Sequence, residues 1–163
     1  MEVLDGALTV NPSPLPPASA RCAAAGGGTG VAASSGVATG DRHRRDARGE
    51  PLDYLTPGVV VFRADLPLTT RPIPALDILL VVEVVSHGSR REDRGSKPIA
   101  HAEAGIPHFW RVEGPTSGAP SVCVHTFELD RTRGGYTASG EYVDRLITTS
   151  PGRLDIDLSR LTF

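Results

Sequence analysis

Aromatic side chains make up only 5 % of this 163-residue chain, which holds a single tryptophan and a single methionine. Charge of one sign is also lacking: the formal net charge is −2. No global basic field recruits nucleic acid, so any such contact must come from a local cluster. Cysteine is scarce. Cys22 and Cys123 stand far apart with no Cys-x-x-Cys pair, which excludes a zinc-finger signature and a disulfide framework and points to thiols in a reducing compartment. Long hydrophobic runs are missing too. The longest, around Ile78 to Val85, is too short to span a bilayer, and Glu2 and Asp5 make Met1–Val10 unlike a signal peptide. The expectation is a cytoplasmic protein with no membrane partner.

What is abundant is glycine and proline, together about a fifth of the chain, and they are unevenly spread. Three zones follow. Residues 1–17 read as a hairpin, with apolar residues flanking Asp5-Gly6 before Pro12, Pro14, Pro16 and Pro17 end any strand. Residues 18–50 are low in complexity and contain no Leu, Ile, Met, Phe, Tyr or Trp. Such a segment buries too little apolar surface to offset the entropy of ordering. It reads as a disordered linker, or as a translated frameshift replacing an amphipathic helix and strand. Residues 51–163 have the texture of a domain.

Within that domain Val59–Arg63 predicts a strand. Ile78–Val85 is nearly continuous in apolar residues, the pattern of a strand covered on both faces. Ser96 to about Ala104 predicts a helix, with Ser96 as N-cap, Pro98 tolerable in the first turn, Gly105 as C-cap and Pro107 as a stop. His108–Val112 and Ser121–Leu129 predict a hairpin. Further strands follow near Tyr136 and over Tyr142–Ile147, and Leu154, Ile156 and Leu158 alternate with polar residues. The sum is a mixed α/β fold, α+β in character, with a central sheet and a flanking helix.

Glu83 stands out because it interrupts an aliphatic strand, where an ionised carboxylate is costly unless it is paired or bound to a metal. The alternative is a strand that ends early and leaves Glu83 in solvent or against an arginine. Asp77 lies on the same strand face but six residues away, roughly 20 Å at about 3.3 Å per residue, so the two cannot share an ion. Arg90, Arg91, Arg94 and Lys97 fall within eight positions. Such a run is usually a solvated loop and helix start, yet it also suits phosphate contacts. Lys97, in the first helical turn, can reach back over the strand end that carries Glu83. His101, one turn later, reads as a partly exposed helix histidine, and the five histidines show no metal-binding spacing.

Three segments taken in order carry a resemblance. Leu79-Leu-Val-Val-Glu-Val-Val-Ser86, then Ser89-Arg-Arg-Glu-Asp-Arg-Gly-Ser-Lys97, then Ala102-Glu-Ala-Gly-Ile-Pro-His-Phe-Trp-Arg-Val112 resemble the Uma-type family of restriction endonucleases within the PD-(D/E)XK superfamily. The opening Asp5-Gly6 hairpin and Asn11-Pro-Ser-Pro14 resemble that family's start. The resemblance implies a restriction endonuclease-like fold, DNA as substrate, Mg²⁺-dependent phosphodiester hydrolysis and a homodimer. It makes Glu83 a metal carboxylate and catalytic residue, Val84 a backbone-carbonyl ligand, Lys97 the catalytic lysine in place of one missing at Val85, and Arg90, Arg91 and Arg94 the DNA contacts. The first metal carboxylate should follow Pro57, but Gly58 stands there, and the first helix falls in the low-complexity zone. The expectation is therefore an impaired endonuclease, or a non-catalytic DNA- or protein-binding module that keeps the fold.

Overall fold

The computed structural model describes residues 55–63, 65–66, 73–115, 119 and 121–161 in full, and the backbone alone of 2–4, 7–9, 29–33, 37–38 and 54. Among these the chain orders as β1 (Glu2–Leu4), β2 (Ala7–Thr9), β3 (Thr29–Ala33), β4 (Val37–Ala38), β5 (Tyr54–Leu55), β6 (Val59–Arg63), β7 (Ile73–Pro74), β8 (Ile78–Val84), α1 (Arg90–Arg94), α2 (Ser96–Glu103), β9 (His108–Glu113), β10 (Cys123–Asp130), β11 (Gly135–Val143), β12 (Arg145–Thr148) and β13 (Leu154–Asp157).

The central sheet has six described strands in the order β11-β10-β9-β8-β6-β3. It is mixed: β8 and β9 run parallel, and the other neighbours are antiparallel. The parallel pair requires a crossover, which α1 and α2 supply between β8 and β9. This is the mixed α+β architecture that the sequence predicts.

β8 earns its central place by composition. Ile78 and Val81 pack in one core with Val60, Phe62, Ile73, Ile106 and Phe109. Leu80 and Val82 pack in a second core with Trp110, Val112, Val124, Leu146 and Leu158. Both faces are thus covered, and each fully buried aliphatic side chain contributes about 1.5–3 kcal/mol of hydrophobic free energy.

α2 runs to Glu103 as its pattern suggests. It ends where Gly105 takes a left-handed φ of 78° and Ile106 N–H donates back to the His101 carbonyl, a closure that glycine makes without steric penalty. Ile106 then drops fully buried into the first core. At the other end the cap is Gly95 rather than Ser96. A side chain at Gly95 would place its Cβ 2.7 Å from the Arg91 carbonyl oxygen, so only glycine lets α1 turn directly into α2.

Two expectations need correcting. The charged run Arg90–Arg94 is a helix, not a loop. The strand expected over Tyr142–Ile147 is broken at Asp144, whose φ of 66° is tolerated by a short polar side chain. β12 therefore leaves the central sheet and pairs with β13 alone.

The front of the chain joins this domain by backbone pairing. β1 and β2 form the expected antiparallel pair, β1 continues onto β5, and β3 runs along β6. The Asp5-Gly6 turn lies outside the described residues, as does most of the 18–50 zone whose disorder or displaced reading frame the composition suggests. No helix among the described residues is long and apolar enough to cross a membrane.

Candidate active site

Glu83 does not reach solvent. It leaves β8 on the face covered by the helices and is 3 % exposed, one residue before the strand surfaces at Val84. Three buried polar groups from the crossover meet it or its partner: Asp93 on α1, and Lys97 and His101 one turn apart on α2.

Lys97 Nζ lies 3.3 Å from Glu83 Oε2 and 2.8 Å from Asp93 Oδ1. His101 Nε2 lies 3.2 Å from Glu83 Oε1, and its other ring nitrogen is buried without a hydrogen-bond partner among the described residues. The ring packs near Phe109, with centroids 6.0 Å apart. The remaining oxygen of Asp93 accepts from Ser89 Oγ, whose oxygen in turn lies 2.8 Å from Ser86 Oγ. One ammonium is thus shared between two carboxylates on different elements, and the wider group is linked through the two serines to the β8–α1 turn.

Charge and burial pull against each other here. Burial pushes the Asp93 carboxyl above the ordinary carboxylate range, and the neighbouring Glu83 charge adds to that. The hydrogen bonds and charge from Lys97 and the Ser89 hydroxyl oppose it without cancelling it.

A second ion cluster ties α1 to the sheet beside this group. Glu113, at the end of β9, accepts from Arg94 Nε at 3.1 Å and from Arg94 Nη2, with Arg111 Nε 2.8 Å away. Burial raises the Glu113 carboxyl, but the hydrogen bonds from Arg94 and the charges of Arg111 and Arg94 outweigh it, leaving the group below its usual value. The Arg111 guanidinium also sits 5.5 Å from the centre of the Phe127 ring.

The sequence-predicted residues are thus partly gathered. Glu83 and Lys97 meet as expected. His101, expected partly exposed, is fully buried, because Glu83 and Phe109 receive the helix face it shares with Lys97. Arg90 and Arg94 are engaged within the protein, Arg90 with His87 at 2.8 Å and Arg94 with Glu113, while Arg91 is exposed. Asp77 sits in the short 3-10 turn that opens β8, remote from Glu83 along the strand. Asp93 and Glu113 are additions that the sequence reading passed over. A signal for Asp93 was present: Ser89, Asp93 and Lys97 fall at successive four-residue steps, the spacing that stacks side chains on one helical face.

Gly58 directly precedes β6, whose Val59 pairs with Val82. A Cβ added there would lie 3.3 Å from the Val82 carbonyl oxygen and 3.5 Å from Val84 Cγ2. Extending the antiparallel register of β6 and β8 by one residue sets position 58 across from Glu83, next to the Val82 carbonyl oxygen and the Val84 amide that flank it.

These donors can be weighed against a hard divalent cation. Mg²⁺ needs near-octahedral oxygen coordination at about 2.0–2.1 Å and usually keeps several waters. The oxygens of Glu83 and Asp93 are spent on Lys97, His101 and Ser89, with no more than 4 % of either carboxylate side chain exposed, and Gly58 contributes no side-chain oxygen. The Lys97 ammonium takes the position between carboxylates that a cation would otherwise neutralise. The arrangement does not fit a hydrated Mg²⁺.

Residues 2–147 match the family model named Uma2 and described as "Putative restriction endonuclease". No curated protein matches the chain.

Proposed function

This chain belongs to the Uma2 family, and from that premise we propose that it is a nuclease domain directed at DNA phosphodiester bonds through Glu83 and Lys97, with hydrolysis impaired by the absence of a carboxylate at Gly58. The observation that supports this most is the 3.3 Å contact between Glu83 and Lys97, each side chain 4 % exposed. A buried ion pair adds little to stability compared with apolar residues of the same size. A strand as oily as β8 gains nothing structural from Glu83 that a leucine would not supply better, whereas clusters of this kind gather where chemistry is done.

The residues also account for the impairment. Before Lys97 could donate to a phosphate oxygen it would have to part from Asp93 and Glu83. Before Glu83 could take a proton from water it would have to release Lys97 and His101. Each separation leaves a buried charge uncompensated.

Incubating plasmid DNA with the purified chain and Mg²⁺ or Mn²⁺ tests the reading. We expect slow nicking that disappears in Glu83→Ala and in Lys97→Ala. Rapid cleavage that survives Glu83→Ala overturns it.

The closed state of the cluster favours a second reading, in which the domain keeps the nuclease fold and binds DNA without cutting it. That reading expects a salt-dependent mobility shift, lost when Arg90, Arg91 and Arg94 are changed together to alanine, with no product under any divalent cation.

A further inference from the structure

The half of the central sheet farthest from β6 and β3, at β10 and β11, carries a different set of donors. Cys123 and His125 lie two residues apart on β10 and so share one face. Glu141 on β11 is the cross-strand partner of His125. His125 Nδ1 is 3.6 Å from Glu141 Oε2, and one ligand atom from each of the three residues lies within 4.8 Å of the others. Ligands of a tetrahedral zinc-class ion, bound at about 2.0–2.3 Å, stand roughly 3.4–3.6 Å apart. The His125–Glu141 spacing already matches, and the Cys123 sulfur lies within 4.8 Å of both.

We propose that Cys123, His125 and Glu141 form a binding site for a thiophilic divalent transition metal of the zinc class. The site is separate from the Glu83 cluster and independent of the nuclease reading.

The donor chemistry selects the ion. A thiolate and an imidazole favour zinc-class metals over Mg²⁺ or Ca²⁺, which take oxygen alone. The backbone supports the geometry as well. β10 and β11 pair without interruption from Cys123↔Val143 to Thr126↔Gly140, so the three Cα positions are fixed before any ion arrives. Three protein ligands leave one tetrahedral position for water, the pattern of an open site. Glu141 is 67 % exposed and His125 is 24 % exposed, so the ion can enter directly from solvent. Binding converts the Cys123 thiol to thiolate and passes one proton to bulk water.

The location separates this site from the candidate catalytic group. Glu83 faces Arg111, and Arg111 faces His125. Two strand spacings of about 4.8 Å put the centres roughly 10 Å apart, too far for one ion to serve both.

Cobalt(II) titration of the full-length protein, freed of metal with a chelator, tests the proposal. We expect one equivalent to bind with a thiolate-to-cobalt charge-transfer band in the near ultraviolet and tetrahedral visible bands, both removed by Zn²⁺. Cys123→Ser should abolish the charge-transfer band, and His125→Ala and Glu141→Gln should each weaken binding at least tenfold, with far-ultraviolet circular dichroism unchanged. Because Glu141 is exposed, Glu141→Gln tests the site without threatening the fold. Glu83→Ala should keep the cobalt spectrum. The proposal falls if no stoichiometric binding occurs, if only octahedral bands appear, or if the charge-transfer band survives Cys123→Ser, which would assign the thiolate to Cys22.

Discussion

Glu83 and Lys97 stand fourteen positions apart in the chain and meet at 3.3 Å inside the protein, one from the central strand and the other from the first turn of the crossover helix. The lysine also holds Asp93 at 2.8 Å. Its single charge therefore balances two carboxylates that water cannot reach.

Removing that charge should be costly. Lys97→Met keeps the apolar stem but strands Glu83 and Asp93, and unfolding in urea should show a loss of about 3–5 kcal/mol. Adding Glu83→Gln to Lys97→Met should recover a measurable part of that loss, because one stranded charge is removed. A double variant no more stable than Lys97→Met would show that the two residues are not coupled.

The Asp93 carboxyl, raised chiefly by burial, gives a signed pH dependence. The folded protein holds its proton more tightly than the unfolded chain, so the associated stability is fully present below the ordinary carboxylate pKa of 3.8 and is lost as pH rises through the raised folded value. The stability of the parent protein relative to Asp93→Asn should therefore be greatest at acid pH and decline toward neutrality. Denaturant midpoints for the two proteins across that range check it, and a flat difference would count against the raised carboxyl.

Glu113 should behave in the opposite sense. Burial works against its charge, but Arg94 and Arg111 hold it below its ordinary 4.5, so its contribution is present above that value and lost as pH falls through the lower folded pKa. The advantage of the parent protein over Glu113→Gln should shrink on acidification below about 4.5, as read by thermal melts.

Gly95→Ala drives a methyl group against backbone, 2.7 Å from the Arg91 carbonyl oxygen. Overpacking of this kind costs about 1–3 kcal/mol. Because the junction between α1 and α2 sets the distance from Asp93 to Lys97, any DNA nicking should fall with it, although the position touches no substrate.

Much of the fold could be read from residues 51–163, where local signals agree with tertiary packing. Uninterrupted aliphatic residues mark β8, and Pro98, Gly105 and Pro107 bracket α2. Half of the candidate site was equally legible, since a glutamate in an apolar strand demands a partner and Lys97 is the nearest cation on the next element. The other half was hidden by ambiguity of direction. Arg90-Arg-Glu-Asp-Arg94 reads as a solvated run because four of its five residues do not become buried, and only the turn at Gly95 rotates Asp93 inward. His101 looked exposed for a similar reason: helix periodicity names a face but not what packs against it. Glu113 escaped notice because its two arginines come from α1 and from its own strand, a convergence that exists only after the crossover is complete.

The pairing of β3 along β6 bears on how this protein can be trimmed. Thr29–Ala33 offers only small residues and one valine, yet the strand that ends this sheet among the described residues needs little more than its amides and carbonyls to shield its neighbour. A shortened version starting after residue 50 would bare the rim of Val59–Arg63, a β-branched stretch well suited to recruit another molecule's backbone. Such a fragment should self-associate and precipitate, so Thr29–Ala33 serves the molecule as a solubility guard.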